Sequence, residues 1–145
     1  MKKNEVKVYI IDDDSSVRKG LQRLITSAGF EAETFGSAEE FLRRKRHRGP
    51  CCLVLDVCMP GLSGIDLQKA FIQKNISLPI IFITGHGNIP MSVKAMKDGA
   101  VDFLPKPFDE KDLLSAVNRA IDTDSCLRKE RSEKERIQRK LNKLT

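Results

Sequence analysis

The sequence lacks the patterns that mark disulfide frameworks, zinc sites and membrane spans. Its four cysteines stand at positions 51, 52, 58 and 126, without a CxxC spacing or a nearby histidine pair, so nothing indicates a zinc site. No apolar run approaches the roughly 20 residues that span a bilayer. No signal segment opens the chain. We therefore expect reduced thiols, a cytoplasmic location and no membrane contact.

A strong charge imbalance is also missing from most of the chain. Of the 26 Lys and Arg residues, 8 lie at 125–145 together with only 3 of the 20 Asp and Glu residues, so this tail carries most of the net charge of +6. Residues 1–124 are nearly balanced, which weakens the case for a nucleic-acid-binding domain. The length suits one domain with a real core, which we place at residues 1–124.

Five segments have the composition of β-strands. Three are short and continuously apolar, at 8–11, 52–55 and 80–83, which is typical of strands covered on both faces. Two others, at 30–35 and 101–104, mix charged and apolar residues, as strands at a sheet edge do. We therefore predict a five-stranded sheet with three interior strands.

Helical patterns alternate with these strands. Asp14 is the expected N-cap of the first helix and Gly29 its end, whereas Ser37 is the expected N-cap of the second. The predicted helices cover residues 15–28, 37–47 (with the basic run RRKRHR at its end), 64–74, 90–99 and a segment from 109 onward. Such alternation predicts an α/β fold: a flavodoxin-like, doubly wound parallel sheet with strand order 2-1-3-4-5 and helices on both faces.

Polar side chains follow four of the predicted strands. Asp12 and Asp13 end the first strand, Asp56 the third, Thr84 the fourth and Lys106 the fifth. In a parallel sheet these carboxyl ends meet at one edge, where ligands bind. Three adjacent aspartates in VYIIDDDSS would repel one another at the end of a buried strand unless a cation compensates their charge.

The donor set at this edge favours Mg²⁺, since hard carboxylate oxygens on a hydrated site suit this ion. Asp12 and Asp13 are the predicted ligands. Asp56, flanked by the metal and Lys106, is a carboxylate placed to attack phosphorus and form an aspartyl phosphate. Asp14 is better explained as a helix cap than as a ligand.

Four motifs together resemble the receiver domain of two-component response regulators. They are VYIIDDD, LVLDVCMPGLSGIDL, IFITGHG and DFLPKPF, in the order and spacing of that family, and the resemblance covers residues 5 to about 122. Within the family, GHGNIPMSVKAMKDGAVDFLPKPF is most similar to the branch with a LuxR-type helix-turn-helix, as in FixJ-type transcription regulators. Such a protein is a phosphoacceptor and catalyses only its own phosphoryl transfer and dephosphorylation.

The resemblance assigns roles to the acidic residues. It implies that Asp56 accepts a phosphoryl group from a sensor histidine kinase. Asp13 would bind Mg²⁺ directly, Asp12 would bind it through water or position it, and Asp56 and the backbone carbonyl of Cys58 would complete the ligands.

The resemblance also implies a switch next to the acceptor. Thr84 would hydrogen-bond one phosphoryl oxygen and Lys106 would pair with another. Phe103 corresponds to the aromatic switch residue that turns inward when the threonine moves. The Lys106–Pro107 peptide bond is expected to be cis, and the side chains of Cys58 and His86 would line the path of the attacking water.

A homodimer is expected on phosphorylation, through the fourth helix, fifth strand and fifth helix. Thr84 and Phe103 both adjoin this face, and Met91, Val93 and Ala95 are spread too widely around one helix to be buried together. The alternative is that these residues only cover the sheet.

The tail at 125–145 is predicted to extend the last helix as a charged linker. Its apolar stripe, Ile137, Leu141 and Leu144, is too short for a confident coiled coil. In LuxR-type regulators such a linker leads to the DNA-binding domain, which is absent from this sequence, so we expect DNA contact only through that missing domain. The alternative is that the tail itself binds nucleic acid without sequence preference.

Two rival functions remain for the domain. A haloacid-dehalogenase-type phosphatase would use Asp12-x-Asp14-x-Ser16 as its nucleophile motif, but the downstream acidic pair after a strand is missing. A non-phosphorylated adaptor with the same fold would have a broken acceptor site, whereas every site residue is present here.

Overall fold

The computed structural model describes residues 6–44, 49–59, 61–85 and 89–143. Strands and helices alternate in five units. The elements are β1 (Lys7–Ile11), α1 (Ser15–Ser27), β2 (Glu31–Phe35), α2 (Ala38–Leu42), β3 (Cys51–Asp56), α3 (Gly64–Gln73), β4 (Ile80–Thr84), α4 (Ile89–Lys97), β5 (Asp102–Pro105) and α5 (Glu110–Lys143). All neighbouring strands are parallel.

The sheet has the order β2-β1-β3-β4-β5, which confirms the predicted flavodoxin-like topology. The interior strands β3 and β4 are buried along their whole length, whereas β2 and β5 are partly exposed. Burial on both faces explains why the interior strands are continuously apolar in sequence.

The core lies in two layers, one on each face of the sheet. Residues of α1 and α5 pack against one face and residues of α2, α3 and α4 against the other. On the second face Phe41 makes edge contacts with Tyr9 and Phe35, at ring-centroid distances of 5.3 and 5.5 Å. Each fully buried large apolar side chain of this kind contributes about 1.5–3 kcal/mol to folding.

The predicted caps of the helices are confirmed. The Asp14 carboxylate accepts hydrogen bonds from the backbone N–H groups of Ser16 and Val17, and the Ser37 hydroxyl accepts one from Glu40. Gly29 follows α1 with a φ of 95°, a left-handed conformation that favours glycine after a helix.

Helix α2 is much shorter than the predicted 37–47, since it ends at Leu42. Arg44 accounts for the difference. Its guanidinium lies 3.8 Å from the ring centroid of Phe41 and 4.8 Å from that of Tyr9, and it donates a hydrogen bond to the Phe41 carbonyl. These contacts hold the Arg44 side chain over the aromatic core. The rest of the basic run, residues 45–48, lies outside the described residues.

Helix α5 continues well past the domain core. Its residues Leu113, Val117, Ala120 and Ile121 are buried, and the helix then runs on to Lys143. Ile137 is exposed. The side chain of Leu141, and Leu144 as a whole, lie outside the described residues. No helix in the described part of the chain is both long and apolar enough to cross a bilayer.

Candidate phosphoacceptor site

The carboxyl edge of the sheet gathers the polar residues that follow four strands. Asp12 comes directly after β1, Asp56 ends β3, Thr84 ends β4 and Lys106 comes directly after β5. The parallel register β1–β3–β4–β5 brings these positions to the same edge. The parallel topology therefore brings these four polar residues together, as the sequence predicted.

Lys106 connects two of the carboxylates. Its Nζ lies 2.8 Å from Asp12 Oδ2 and 3.7 Å from Asp56 Oδ2. The Lys106 N–H donates to the Thr84 carbonyl at 2.7 Å, which holds the start of the loop after β5 against the end of β4. The following Lys106–Pro107 peptide bond is cis. The ammonium thus reaches across the sheet edge to the acidic residues.

Three carboxylates form a cluster at this edge. Oxygens of Asp12, Asp13 and Asp56 all lie within 4.8 Å of one another. Asp12 and Asp56 are buried, whereas Asp13 is exposed and open to water. A partly hydrated set of carboxylate oxygens matches the ligand preference of Mg²⁺, so the residues present fit this ion.

Backbone groups orient the two buried carboxylates. Asp12 Oδ1 accepts a hydrogen bond from the Asp14 N–H at 2.9 Å, and Asp56 Oδ1 accepts one from the Cys58 N–H at 3.2 Å. The second bond brings the Cys58 backbone beside the Asp56 carboxylate. The Cys58 side chain is exposed.

The electrostatic environment shifts the pKa values of both Asp56 and Lys106. Burial, assisted by the negative charge of Asp12, raises the pKa of Asp56 to about 6, even though Lys106 and the Cys58 N–H act in the opposite direction. Burial lowers the pKa of Lys106, but the hydrogen bond and charge of Asp12 and the charge of Asp56 outweigh it and raise that pKa above its ordinary value. Lys106 is therefore a lasting positive charge beside the cluster.

Two residues support the site without having been singled out from the sequence. A Cβ on Gly64 would collide with the Asp56 carbonyl oxygen, so only glycine lets the start of α3 approach the end of β3. Arg18 Nη1 donates to the Asp12 carbonyl at 2.6 Å and secures the turn after β1. The sequence feature that could have identified Gly64 is its position: a glycine at the start of a helix, directly after the N-cap residue Ser63.

The predicted switch residues lie at neighbouring positions. Thr84 is buried at the end of β4, and Phe103 on β5 packs against Phe82 with ring centroids 6.0 Å apart. Phe103 is only partly buried, on the face of the sheet that α4 covers. His86 lies outside the described residues.

Residues 8–118 match the model of the response regulator receiver domain. The chain belongs to this family. A receiver domain is a phosphoryl-accepting regulatory module rather than an enzyme acting on an external substrate, and such domains interact with histidine kinases. Membership excludes the phosphatase alternative, and the complete acidic site argues against the adaptor.

Two curated relatives and one solved structure illustrate the similarity. Nodulation protein W of Bradyrhizobium diazoefficiens is 53% identical over 117 residues, which cover 81% of this chain and 52% of the relative. Transcriptional regulatory protein FixJ of the same species is 45% identical over 114 residues, which cover 79% of this chain and 56% of the relative. The solved structure of response regulator StyR superposes with a TM-score of 0.91 at 46% identity, covering 97% of this chain and 71% of that one.

The receiver domain described here therefore spans about half the length of the curated relatives it matches. Receiver domains use Mg²⁺ at an acidic pocket, and the cluster of Asp12, Asp13 and Asp56 provides such a pocket in this chain. Of these relatives, FixJ is by its name a transcriptional regulatory protein.

Proposed function

We propose that Asp56 accepts a phosphoryl group from the phosphohistidine of a sensor kinase. The observation that carries this proposal is the cluster itself: a buried carboxylate grouped with two other carboxylates and 3.7 Å from a lysine ammonium. In the transfer an Asp56 carboxylate oxygen forms the bond to phosphorus. The phosphorus–nitrogen bond of the donor breaks, and its electron pair returns to the imidazole.

Mg²⁺ would be held by Asp12, Asp13, Asp56 and the backbone carbonyl of Cys58, with Asp13 in direct contact. The ion would supply positive charge against the phosphoryl oxygens in the transition state. Lys106 supplies a second positive charge from the protein, and the Thr84 hydroxyl donates a hydrogen bond to a third oxygen. The same residues allow water to remove the phosphoryl group, so the domain catalyses its own dephosphorylation.

The proposal is tested by phosphorylation with acetyl phosphate and Mg²⁺. We expect intact mass to increase by one phosphoryl group in the wild-type chain, and Asp56→Asn to abolish the increase. Asp122→Asn is the matched control, because Asp122 is an exposed aspartate on α5, away from the site. Unchanged labelling of Asp56→Asn would contradict the assignment.

We further propose that phosphorylation promotes a homodimer through α4, β5 and α5. Movement of Thr84 and Phe103 would carry the effect of the phosphoryl group on Asp56 to this face. In such a switch, a local charge shifts the balance between two conformations. Helix α4 exposes an apolar stripe at i, i+4 and i+7, formed by Ile89, Val93 and Met96. Arg119 on α5 pairs with Asp102 on β5 at 2.7 Å, so charged residues border the same face.

Sedimentation with and without beryllofluoride, a phosphoryl mimic, tests the dimer. We expect Val93→Glu to weaken dimerisation by tenfold or more, because it places a charge in the apolar stripe of the proposed interface. A factor of ten corresponds to about 1.4 kcal/mol of binding free energy. Ile72→Glu is the matched control, because Ile72 is similarly exposed but lies on α3. A wild-type chain that stays monomeric in both states, well above micromolar concentration, would contradict the proposal.

The output of the switch would be control of transcription in the cytoplasm. We propose that residues 125–145 act as a linker helix towards a DNA-binding domain beyond this chain, as suits the similarity to FixJ. The linker continues α5 without a break to Lys143. DNA binding by this chain alone, decreasing steeply with salt, would instead favour the tail as a nucleic-acid contact.

A further inference from the structure

Helix α4 is held to the sheet by limited apolar packing, since besides Ala95 only Met91 among its large apolar residues packs against the core, and Met91 is only partly buried. All nine of its residues are described, and Ala95 is the buried one. By contrast α3, which is of similar length, buries Gly64, Leu67, Gln68 and Phe71. A helix that fully buries only one small side chain gains less from the hydrophobic effect than α3 does, so its position depends more on other contacts.

Gln68 provides a polar contact at the same point. Its side chain is 3% exposed, and its Nε2 donates a hydrogen bond to the Ala95 carbonyl at 3.1 Å. That carbonyl also accepts the Ala100 N–H at 3.1 Å, in the turn closed by Gly99 with a φ of 103°. The carboxyl-terminal half of α4 is therefore anchored to α3, whereas Ile89 at its other end is 78% exposed.

We propose that Gln68 is a positioning residue that holds α4 in its resting arrangement and thereby sets how readily phosphorylation moves that helix. This inference rests on the proposed function, in which a phosphoryl group on Asp56 repositions α4. Gln68 lies on α3, the helix that follows Asp56 in the chain. Its amide binds α4, the helix that bears the exposed stripe Ile89–Val93–Met96. Gln68 thus connects the helix next to the proposed acceptor with the helix of the proposed dimer face.

The physical basis is the cost of leaving the resting arrangement. A shift of α4 must break or bend a buried hydrogen bond, whose net contribution corresponds to a factor of about three to ten in an equilibrium constant. Removing the bond makes the shifted arrangement that much easier to reach. Because linkage is reciprocal, a ligand that favours the shifted arrangement then binds more tightly by up to the same factor.

The test compares Gln68→Met with Gln73→Met in the full 145-residue chain. Methionine keeps the length of the side chain but removes the amide, and Gln73 is an exposed glutamine on the same helix. Beryllofluoride with saturating Mg²⁺ is titrated by NMR. We expect Gln68→Met to bind it about threefold to tenfold more tightly than wild type, and Gln73→Met to bind it as wild type does.

Hydrogen exchange provides a second measurement that does not depend on the mimic. We expect the amides of Val93 to Lys97 to exchange faster in Gln68→Met, while the amides of β3 are unchanged. A merely structural role would loosen the domain without tightening beryllofluoride binding. If Gln68→Met does not fold, Gln68→Leu carries the same two measurements.

The outcomes separate this inference from the proposed function. Beryllofluoride affinity and α4 exchange equal to those of Gln73→Met, or weaker binding in Gln68→Met, would overturn the role of Gln68. Failure of the wild-type chain to bind the mimic, or equal binding by Asp56→Asn, would instead overturn the proposed acceptor. Exchange at α4 would still report the Gln68 anchor in that case.

Discussion

Asp56 combines two requirements that conflict in the metal-free protein. As the proposed phosphoacceptor, Asp56 would have to be ionised to attack phosphorus, yet its burial and the nearby charge of Asp12 raise its pKa to about 6. The charged form is therefore disfavoured in the folded state relative to the unfolded chain, where the pKa is near 3.8. A bound cation would remove much of this conflict, because it favours the charged form.

The sign of this shift predicts a pH-dependent stability. Above pH 6 the ionised Asp56 destabilises the folded metal-free domain; as the pH falls from 6 to 3.8 this destabilisation is lost. We expect Asp56→Asn to raise the free energy of unfolding by about 1–3 kcal/mol at pH 7.5 in EDTA. The gain should shrink towards pH 5 and on addition of Mg²⁺ to both proteins.

Thermal unfolding between pH 5 and 8 measures this effect. Asp122→Asn is the control for a general loss of negative charge, since Asp122 is exposed on α5. An Asp56→Asn gain that is constant across this range, or that appears equally in the control, would show that the acceptor is not strained by its charge.

Among the helices, α5 depends on a buried carboxylate as well as on its apolar face. Asp124 is buried beside the start of β3, and its Oδ2 accepts a hydrogen bond from the Cys51 N–H at 2.9 Å. This contact joins the end of the helix's core-facing stretch to the amino end of a central strand. It thus fixes where α5 leaves the domain.

We expect Asp124→Ala to lower the free energy of unfolding by about 1–3 kcal/mol, because a buried backbone donor loses its carboxylate acceptor. Asp124→Asn, which keeps an acceptor oxygen, should cost less. Denaturant unfolding measures both variants against Asp122→Ala, a change on the exposed side of the same turn. Equal effects of the two alanine variants would mean that the contact to Cys51 contributes little.

At the scale of the whole molecule, the described core residues stop before the extended part of α5. Both apolar layers are built from residues up to Ile121, and no described side chain beyond Asp124 is buried. The domain of residues 1–124 should therefore not need the tail for its stability.

A chain ending at residue 126 tests this division. We expect its melting temperature to lie within about 3 °C of the full chain, since the side chains described in the removed segment, at residues 136–138, are exposed. Labelling by acetyl phosphate should proceed at the same rate. Calorimetry showing a loss of 10 °C or more would contradict the division and would mean that the tail packs against the domain.

Local sequence patterns were enough to predict the fold class, the strand order and the residues that share the acidic cluster. The pattern of apolar residues indicates which faces of a strand are buried. The continuously apolar segments 52–55 and 80–83 were therefore predicted to be interior strands, and the mixed segments 30–35 and 101–104 were predicted to be edge strands. Once the sheet was parallel, the positions after each strand had to share one edge. Asp12, Asp56 and Lys106 could therefore be grouped without coordinates.

Tertiary structure alone decided the features that depend on contacts between distant segments. The end of α2 at Leu42 follows from Arg44 folding over the aromatic core, against a basic run that suited a longer helix. The need for Gly64 follows from its approach to the Asp56 carbonyl, and the anchor of α4 follows from Gln68 meeting Ala95, 27 positions away. Local patterns record which face of an element is buried, but only the packed structure shows which atoms meet there.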